Sequence, residues 1–336
     1  MSKDNVYGRP EFLEMLKQAG NANPAKALEG QEQLATALQT PLREAILVGD
    51  VASQIFEKLV LDGNTTAEFP MDLLNPGDET DFVAYTNPGH GRIPERTVEG
   101  DYVQVPTYAI TNSIDFLARY ARDARWDVAG RAMKVMEAGF VKKINDDAWH
   151  VLLAAGVDRN ILVYDADAQA GQFTKRLVSL LKTIMRRNAG GNSASVSRGR
   201  LTDIYLSPEA LEDIRNWGVD IVDDTTRREI YTSSDDGYVT RIFGINLHAM
   251  DELGESQEYQ AYFTNQLTGS LGPSSDVELV VGLDLANGGS FVMPIRQEMV
   301  IYPDPAMHRA QRIGFYGFAE LGVAALDNRR ILLGSL

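Results

Sequence analysis

The chain has 336 residues, of which 44% are hydrophobic and 24% charged, an ordinary globular composition that can form a sizeable core. It contains no cysteine and four histidines, which excludes disulfides, thiolate metal sites and cysteine nucleophiles and argues against a histidine-rich metal centre. The formal net charge of −15 argues against general nucleic-acid binding, and no window approaches about 18 uninterrupted apolar residues, so no membrane span is expected.

Helical spacing of apolar residues recurs in residues 10–60, with interruptions at residues 21–24 and at Gly30. Thr40-Pro41 has the form of an N-cap followed by proline at the first helical position, so we expect a new helix to begin there and to continue the apolar face. Residues 1–61 are therefore predicted to form a mainly helical N-terminal arm.

Residues 62–106 are the most informative stretch, because prolines and glycines recur throughout it. They remove backbone donors and loosen the chain, so no helix is expected. Short apolar pieces such as residues 82–85 suit strands, but two strands alone are only marginally stable in water. Such long connections are usually functional or disordered. Two interpretations stay open: an extended arm that rests on a neighbouring subunit, and a mobile surface loop.

Residues 101–118 alternate β-branched and aromatic side chains, which predicts one long strand or a pair of strands. The strongest helix signal follows, because apolar residues recur every three or four positions from Ala129 to Ala155. A helix of roughly 32 residues would be about 48 Å long. That length exceeds the usual globular helix and suits a structural spine.

The middle of the chain has a mixed α/β pattern. A second helix is predicted from Phe173 through Ile184, and residues 201–206 predict a buried strand. Ser207-Pro208-Glu209 then predicts a short helix with a cap, a proline at its first position and an acid in its first turn. This order suggests a central mixed sheet with helices on it.

Strands dominate the prediction for the last third of the chain. They are expected at 241–253, 257–268, 277–286 and 290–302, the last two joined as a hairpin at Asn287-Gly288-Gly289. Residues 312–334 contain much glycine and alanine, so we expect a strand that packs closely against something bulky, for which the spine helix is the candidate.

No motif typical of an active site occurs in a supporting context. Residues 165–171 resemble the start of a calcium loop, but the glycine is at the seventh position and Arg176 stands where a bidentate glutamate is needed. A solvated loop is the expected structure. Adjacent acids point in different directions on a helix or strand, so they predict exposed charge rather than a catalytic pair. These acid pairs are Asp146-Asp147, Asp223-Asp224 and Asp235-Asp236.

Histidines and cations have competing interpretations. His150 lies near the apolar edge of the predicted spine helix and is expected to be packed or at the surface, whereas His90 is expected in a turn. A group of cations could face packaged nucleic acid or a neighbour's acidic face, or could be the solvated side of an amphipathic helix. This group consists of Lys175, Arg176, Lys182, Arg186 and Arg187. No catalytic, metal-binding or cofactor-binding residue is assigned.

The order of the predicted parts resembles that of the HK97-fold major capsid proteins of tailed bacteriophages. That order is a helical arm, an extended segment, a strand leading into a long helix, a mixed α/β domain and a closing glycine-rich strand. The stretches that carry the resemblance are residues 101–155, 201–217, 241–250 and 312–334. No single stretch is diagnostic; their order matches over nearly the whole chain.

The resemblance implies an α+β fold of the HK97-like type with four parts. These are an N-terminal arm (1–61), an extended loop over the adjacent subunit (62–106), a peripheral domain with the spine helix (107–156 and 290–336) and an axial domain (157–289). It implies a major capsid protein that assembles in the host cytoplasm into the hexamers and pentamers of an icosahedral virion head, enclosing double-stranded DNA without sequence specificity and without a membrane.

The resemblance also bears on partners and contacts. Some members of the family lock their shells with an isopeptide bond from a lysine in the extended loop, but residues 62–106 contain no lysine. We therefore expect a noncovalent shell, with a decoration protein as a possible helper, a portal, and a separate scaffolding protein because the N-terminal arm is short. The candidate intersubunit contacts are Arg92, Glu95, Arg96, Phe82 and Tyr85.

Three other functions stay open at this point. Encapsulin-type nanocompartments use the same fold to enclose enzymes. A soluble metal-dependent hydrolase would use several acidic residues, and would show metal-dependent turnover. A tail-tube or other virion component would favour all-β patterning and fewer long helices.

Overall fold

The structure is a computed structural model of the chain, and it describes nine stretches of residues. These are residues 10–49, 51–62, 65–70, 102–123, 125–188, 199–217, 241–267, 278–286 and 288–336. The chain divides into two compact units. The first unit comprises Met1–Ala67, Gln104–Ala148 and Val292–Val323, and the second comprises Glu68–Val103, Trp149–Phe291 and Ala324–Leu336.

Helices and strands alternate along the described residues. The helices are α1 (Pro10–Ala19), α2 (Pro24–Gly49), α3 (Ala52–Ile55), α4 (Ala118–Arg122), α5 (Trp126–Asp158), α6 (Lys175–Asn188), α7 (Pro208–Asn216) and α8 (Glu258–Tyr262). The strands are β1 (Glu57–Val60), β2 (Glu68–Pro70), β3 (Tyr102–Gln104), β4 (Tyr108–Leu117), β5 (Leu162–Val163), β6 (Asp203–Leu206), β7 (Arg241–Ile242), β8 (Ile245–Ala249), β9 (Leu279–Leu283), β10 (Phe291–Asp304), β11 (Arg312–Leu321), β12 (Ala324–Ala325) and β13 (Ile331–Ser335).

The helix α2 continues through both Gly30 and Pro41, so the prediction of a new helix at Thr40-Pro41 is wrong. Proline in a helix interior removes one backbone hydrogen bond. The apolar stripe of α2 nevertheless stays buried on both sides of Pro41, with Leu38 and Leu42 each 1% exposed. Burial of a continuous stripe therefore outweighs the local stop signal. The predicted helical face also ends earlier than expected, because β1 is a strand that pairs in parallel with β10.

Gly30 lies where α1 and α2 approach each other. A Cβ added at Gly30 would lie 2.5 Å from the backbone nitrogen of Ala19 and 2.6 Å from the carbonyl carbon of Gln18. Carbon atoms do not approach backbone atoms so closely, so a larger residue would push α1 away. Gly30, which the sequence pattern marks as an interruption of the helix, is therefore a point of close contact between α1 and α2.

We expect Gly30→Ala to lower the free energy of unfolding by about 1 kcal/mol or more, because overpacking outweighs helix propensity. Propensity alone predicts the opposite sign, since alanine stabilises a helix interior by about 1 kcal/mol relative to glycine. Urea denaturation measures the difference, with the exposed neighbour change Glu29→Ala as the matched control. A Gly30→Ala protein as stable as the parent would contradict the close approach.

The spine helix is confirmed as α5, which runs for 33 residues. In the first unit it packs on a sheet whose strand order is β1-β10-β11-β4. The predicted close packing of the glycine-rich strand is also confirmed, because a Cβ at Gly317 of β11 would lie 2.7 Å from Phe140 of α5. On the neighbouring strand β4, the side-chain amide of Asn112 donates to the carbonyl oxygen of Met136 at 3.3 Å.

The two ends of the predicted extended loop lie side by side. Strands β2 and β3 form a two-stranded sheet, and the Val105 N–H donates to the carbonyl oxygen of Ala67 at 2.9 Å. Residues 71–101, between these strands, lie outside the described residues. The alternating stretch at 101–118 is a pair of strands, of which β4 pairs with β11 in a separate sheet. That the loop rests on a neighbouring subunit stays a prediction.

The second unit is built on a mixed sheet with strand order β5-β13-β9-β6-β8-β7, as the pattern of the middle of the chain predicts. Helices α6 and α7 pack on it through one apolar cluster that includes Leu177, Leu181 and Leu211. Ser207 caps α7 as predicted, because its Oγ accepts from the Ala210 N–H at 3.0 Å and Pro208 follows it.

Two predicted features of the last third are wrong. The described residues of the strand predicted at 257–268 form the helix α8 and a following π-helical turn instead, because Tyr259 and Phe263, four residues apart, are buried together on one helical face. The predicted hairpin around Gly288 does not form either. Strand β9 pairs with β13 and β6, whereas β10 pairs with β1 and β11 in the first unit, so each strand has its partners in a different sheet. The strand predicted at 241–253 is split by a tight turn into β7 and β8.

Candidate assembly surfaces

The five residues predicted to make intersubunit contacts all lie outside the described residues. They are Arg92, Glu95, Arg96, Phe82 and Tyr85. Their roles stay predictions. Near the described ends of the loop, Tyr102 of β3 is 66% exposed, and Val60 at the end of β1 is 69% exposed. Large apolar side chains so exposed are typical of surfaces that bind a partner when they form contiguous patches.

An aromatic strip lies on the solvent face of the sheet in the first unit. Tyr302 of β10 and Tyr316 of β11 are cross-strand neighbours whose rings stack with centroids 5.4 Å apart, and each is 41% exposed. Phe318 lies two residues further along β11 on the same face and is half-buried. In the sequence, the alternation of side chains in residues 313–320 is the signal that could have identified this face.

Ion pairs flank the aromatic strip on both sides. Arg312 contacts Asp115 at 2.7 Å, and Arg296 contacts Glu320 at 3.2 Å. An aromatic centre with a charged, solvated rim is the usual anatomy of a protein–protein interface. The strip can therefore bury aromatic area against another chain while its rim stays hydrated.

The calcium-like loop is occupied by its own arginine. Arg176 forms ion pairs with Asp165 and Asp167, and Asp165 also accepts a hydrogen bond from the hydroxyl of Thr174 at 2.7 Å. Arg176 stands where a calcium loop needs a glutamate, and its positive charge neutralises the two aspartates of the loop. Within the described ranges no group of three or more potential metal ligands occurs.

The acid pair on the spine helix is engaged in ordinary contacts. Asp147 accepts hydrogen bonds from the hydroxyl of Tyr108 at 2.9 Å and from the ammonium of Lys143 at 2.7 Å. Burial raises the pKa of the Tyr108 hydroxyl, and the hydrogen bond to Asp147 and its charge raise it further. The other two predicted acid pairs, Asp223-Asp224 and Asp235-Asp236, lie outside the described residues.

Two of the histidines that the structure describes, His150 and His248, are packed against aromatic rings. His150 stacks on Tyr262 with centroids 4.0 Å apart, which confirms the expectation of a packed histidine. His248 stacks on Tyr205, with centroids 4.6 Å apart, and its Nε2 lies 2.9 Å from Asp203 Oδ1. His90 lies outside the described residues.

Asp203 is the buried acceptor in this histidine contact. Burial alone would raise its pKa, but hydrogen bonds from Thr202, His248 and Asn246 more than offset burial, so the pKa of Asp203 is lowered. A carboxylate whose pKa is lower in the folded than in the unfolded state stabilises the fold above the unfolded value of about 4. That contribution is lost as the pH falls through the folded pKa.

We therefore expect Asp203→Asn to flatten the acid limb of the stability profile below about pH 4. The variant should be less stable than the parent at neutral pH, and the difference should shrink as the pH falls. Urea titrations at a series of pH values measure this. Parallel profiles for the two proteins would show that Asp203 does not contribute to the acid sensitivity.

The predicted cations on α6 divide into two sets. Lys175 lies over the ring of Phe243 at 5.6 Å, and Arg176 pairs with the loop acids described above. The other three line a groove of about 670 Å³ together with Arg200, which the sequence analysis did not single out. We call this surface the basic groove; it consists of Lys182, Arg186, Arg187 and Arg200, all exposed.

A helix can cross a bilayer only if it is long and apolar enough, and none within the described stretches meets both conditions. No protein-family model matches the sequence, and no curated protein matches it.

Solved structures do match the fold. A chain of Microbacterium phage Oxtober96 is 9% identical with a TM-score of 0.55, covering 86% of this chain and 90% of that one. The capsid of the native GTA particle is 13% identical with a TM-score of 0.52, covering 87% and 90%. The capsid asymmetric unit of cyanophage Pam1 is 12% identical with a TM-score of 0.53, covering 84% and 88%. This chain therefore has the fold of phage capsid subunits, the HK97-like α+β fold that the order of its parts predicts.

Proposed function

We propose that this chain is the major capsid protein of a tailed phage and forms the hexamers and pentamers of an icosahedral head around double-stranded DNA. The observation that carries the proposal is the likeness to the two capsid structures over 84% and 87% of the chain. The role is structural rather than enzymatic, and the location is the virion after assembly in the host cytoplasm. Scaffolding, portal and decoration proteins are the expected partners.

The physical properties of the chain suit such an assembly. A net charge of −15 makes free subunits repel one another, so contacts between copies must be apolar or locally complementary. The aromatic strip on β10 and β11 supplies apolar area in the first unit. Obligate interfaces are typically large and apolar, and an extended loop over a neighbour would add area to each contact.

We propose that the chain consists of the four parts that its resemblance to the HK97-fold capsid proteins implies. Residues 62–106 are the loop that lies over the adjacent subunit, with its ends paired through β2 and β3. Residues 107–156 with 290–323 form the peripheral domain. Residues 157–289 form the axial domain together with residues 324–336, which the resemblance assigns to the peripheral domain, because β13 pairs with β5 and β9 in the sheet of the second unit. Residues 1–61 form the N-terminal arm, whose helices α1 and α2 support its mainly helical assignment.

Expression followed by sedimentation and negative-stain microscopy tests the proposal. The chain, with any helper proteins supplied, should give closed shells of uniform diameter that sediment far ahead of single subunits. Boiling in detergent should release only single chains, because residues 62–106 contain no lysine for a covalent link. Material that stays as compact single chains under all these conditions would overturn the proposed function.

The loop contacts give a separate prediction. We expect the double change Arg92→Glu and Arg96→Glu to reduce shell yield at least tenfold, because each reversal turns an attractive intersubunit contact into a repulsive one. Circular dichroism of the unassembled chain should be unchanged. The matched control is Arg92→Lys with Arg96→Lys, which keeps the charge and should assemble. Normal shell yield from the glutamate variant would remove these arginines from the contact.

A further inference from the structure

The sheet of the second unit carries opposite charges at its two ends. Strands β6 and β9 are antiparallel, with Asp203 opposite Leu283 and Tyr205 opposite Val281. Residues that precede β6 therefore share one end of the sheet with residues that follow β9, and residues that follow β6 share the other end with those that precede β9. The four residues of β6 separate the ends by roughly 13 Å.

The first end is basic and contains the basic groove. Arg200 precedes β6, and its N–H donates to Asp284 Oδ2, just after β9, at 2.9 Å. Lys182 donates to the carbonyl oxygen of Phe243, in the turn before β8, at 3.5 Å. Since β8 runs parallel to β6, that turn belongs to the same end. The carboxylates here, Asp203 and Asp284, are buried and already engaged, so they do not neutralise the groove.

Within the described part of the chain, the arginines of the basic groove have no acidic side chain as a partner. Arg186 and Arg187 occupy the exposed face of α6 beside Arg200, and none of the described residues forms an ion pair with any of the three. The buried face of the same helix carries Leu181 and Met185, each 0% exposed, so α6 is held rigidly against the sheet. Four cations are therefore presented together on a fixed surface of a strongly acidic chain.

The second end is acidic. Ser207 follows β6, and its hydroxyl donates to Glu278, which precedes β9. Burial raises the pKa of Glu278; the Ser207 hydrogen bond opposes this, but the nearby charges of Glu209, Asp213 and Glu255 add to it. Several carboxylates therefore share this end at distances where they repel one another.

The loop after β8 adds to the same charge. The N–H of Met250 donates to the carbonyl oxygen of Leu206 at 2.9 Å, so the residues that follow Met250 lie at the end where β6 terminates. Glu252 and Glu255 are exposed there, without an ion pair to any residue within the described part of the chain. We call this surface the acidic end; it consists of Glu209, Glu252, Glu255 and Glu278.

We propose that the basic groove of one copy binds the acidic end of the next copy, so that second units join head to tail in the assembled shell. The inference rests on the proposed function, because it assumes a shell of identical chains. A head-to-tail contact is heterologous and closes into a ring when the rotation between neighbours is right. Each copy then uses both surfaces, and each contact neutralises charge that an isolated subunit leaves exposed.

The binding energy of such a contact comes from the number of ion pairs rather than from any single pair. An exposed ion pair contributes about 0–1 kcal/mol, and salt screens it. Several pairs per contact, repeated around a ring, steer copies into the correct order and suppress like-to-like contacts. The yield of rings should therefore fall as the salt concentration rises. The fall should be steeper than for rings held together only by the burial of aromatic side chains.

Charge reversal with rescue tests the proposal in the full-length chain. The groove variant carries Arg186→Glu and Arg187→Glu, the acidic-end variant carries Glu252→Lys and Glu255→Lys, and the swapped variant carries all four changes. Shells are counted by sedimentation and microscopy. Each double variant should give at least tenfold fewer shells. The swapped variant should give clearly more shells than either double variant, because the charges exchanged between residues 186 and 187 and residues 252 and 255 attract one another again. Arg186→Lys with Arg187→Lys is the matched control and should assemble.

The possible outcomes distinguish a failure of the proposed function from a failure of the proposed contact between the basic groove and the acidic end. If the parent forms no shells at all, the proposed function fails. If the parent assembles but the swapped variant recovers no more than the double variants, the pairing of these two surfaces is overturned. If the groove variant assembles normally and the shells retain less DNA, the groove binds phosphate instead, and the pairing is again overturned.

Discussion

Replacing Asp284 by alanine should lower the free energy of unfolding by about 3–5 kcal/mol, because it leaves the buried Arg330 without its main counter-charge. The side chain of Asp284 is 0% exposed and that of Arg330 is 4% exposed, and the two form an ion pair. The same carboxylate accepts backbone hydrogen bonds from Arg200 at 2.9 Å and from Ala286 at 3.1 Å. It therefore ties together the chain before β6, the end of β9 and the start of β13.

Urea denaturation of the unassembled chain measures the loss. Trp149 and Trp217 are 0% and 7% exposed, so their fluorescence should report the unfolding of the second unit. The matched control is Asp115→Ala, which removes the exposed partner of Arg312 and should cost less than about 1 kcal/mol. Equal losses in the two variants would show that burial does not set the energy of the pair.

A double replacement separates the cost of leaving a buried charge unpaired from the cost of the backbone hydrogen bonds that are lost with Asp284. Asp284→Leu together with Arg330→Met leaves no buried charge, so the loss should be smaller than for Asp284→Ala alone. The backbone donors of Arg200 and Ala286 would still lose their acceptor, which keeps some destabilisation. A double variant less stable than the single one would contradict this account.

Gly317→Val should lower the free energy of unfolding by about 3 kcal/mol, although valine favours strands. A Cβ at this position would lie 2.7 Å and 2.9 Å from ring carbons of Phe140 and 3.2 Å from the terminal methyl of Met299. Phe140 is 1% exposed, so its ring has no free space into which to move. The strand and the spine helix would have to separate.

The control for this prediction lies on the neighbouring strand. Thr111→Val introduces the same residue on the exposed face of β4 by replacing a hydroxyl with a methyl group, and such surface changes usually stay within about 0.5 kcal/mol. The two variants are compared by urea denaturation of the unassembled chain. If Gly317→Val were as stable as Thr111→Val, β11 and α5 would be further apart than the structure shows.

Features that depend on local periodicity were predictable. The spacing of Met133, Met136, Phe140 and Ile144 follows the period of a helix, and that stripe is the buried face of α5. The cap at Ser207 depends on neighbouring residues only, and it forms as predicted. The glycines of residues 312–321 predicted a close approach to a bulky partner, and the ring of Phe140 is that partner.

Features that depend on competition between partners were not predictable. The turn signal at Gly288-Gly289 is compatible with a hairpin, but β9 pairs with the two fully buried strands β6 and β13 in the second unit, whereas β10 pairs with β1 and β11 in the first. Tyr259, Ala261 and Phe263 alternate as in a strand, yet burial of Tyr259 with Phe263 selects a helix. In each case the local pattern permits two structures, and long-range burial decides between them.

The candidate surfaces, too, were predictable from the sequence only in part. The cations on α6 were predictable from the sequence. Only the fold shows that Lys182, Arg186 and Arg187 share a groove with Arg200. The fold also shows that Arg176 forms ion pairs with nearby acids instead. The opposite charge at the other end of the sheet follows from the antiparallel register of β6 and β9.

By itself, the sequence determined the composition class, the spine helix, the mixed α/β middle and the order of parts that marks a capsid-like fold, because these rest on periodicity and on residues near one another in the chain. Only the tertiary structure decided which strands pair, which glycines touch a neighbour and where unlike charges lie. Arg312 and Asp115, 197 positions apart, meet only because β11 and β4 align in one register. Such contacts depend on the burial of the whole chain, which no local stretch of sequence encodes.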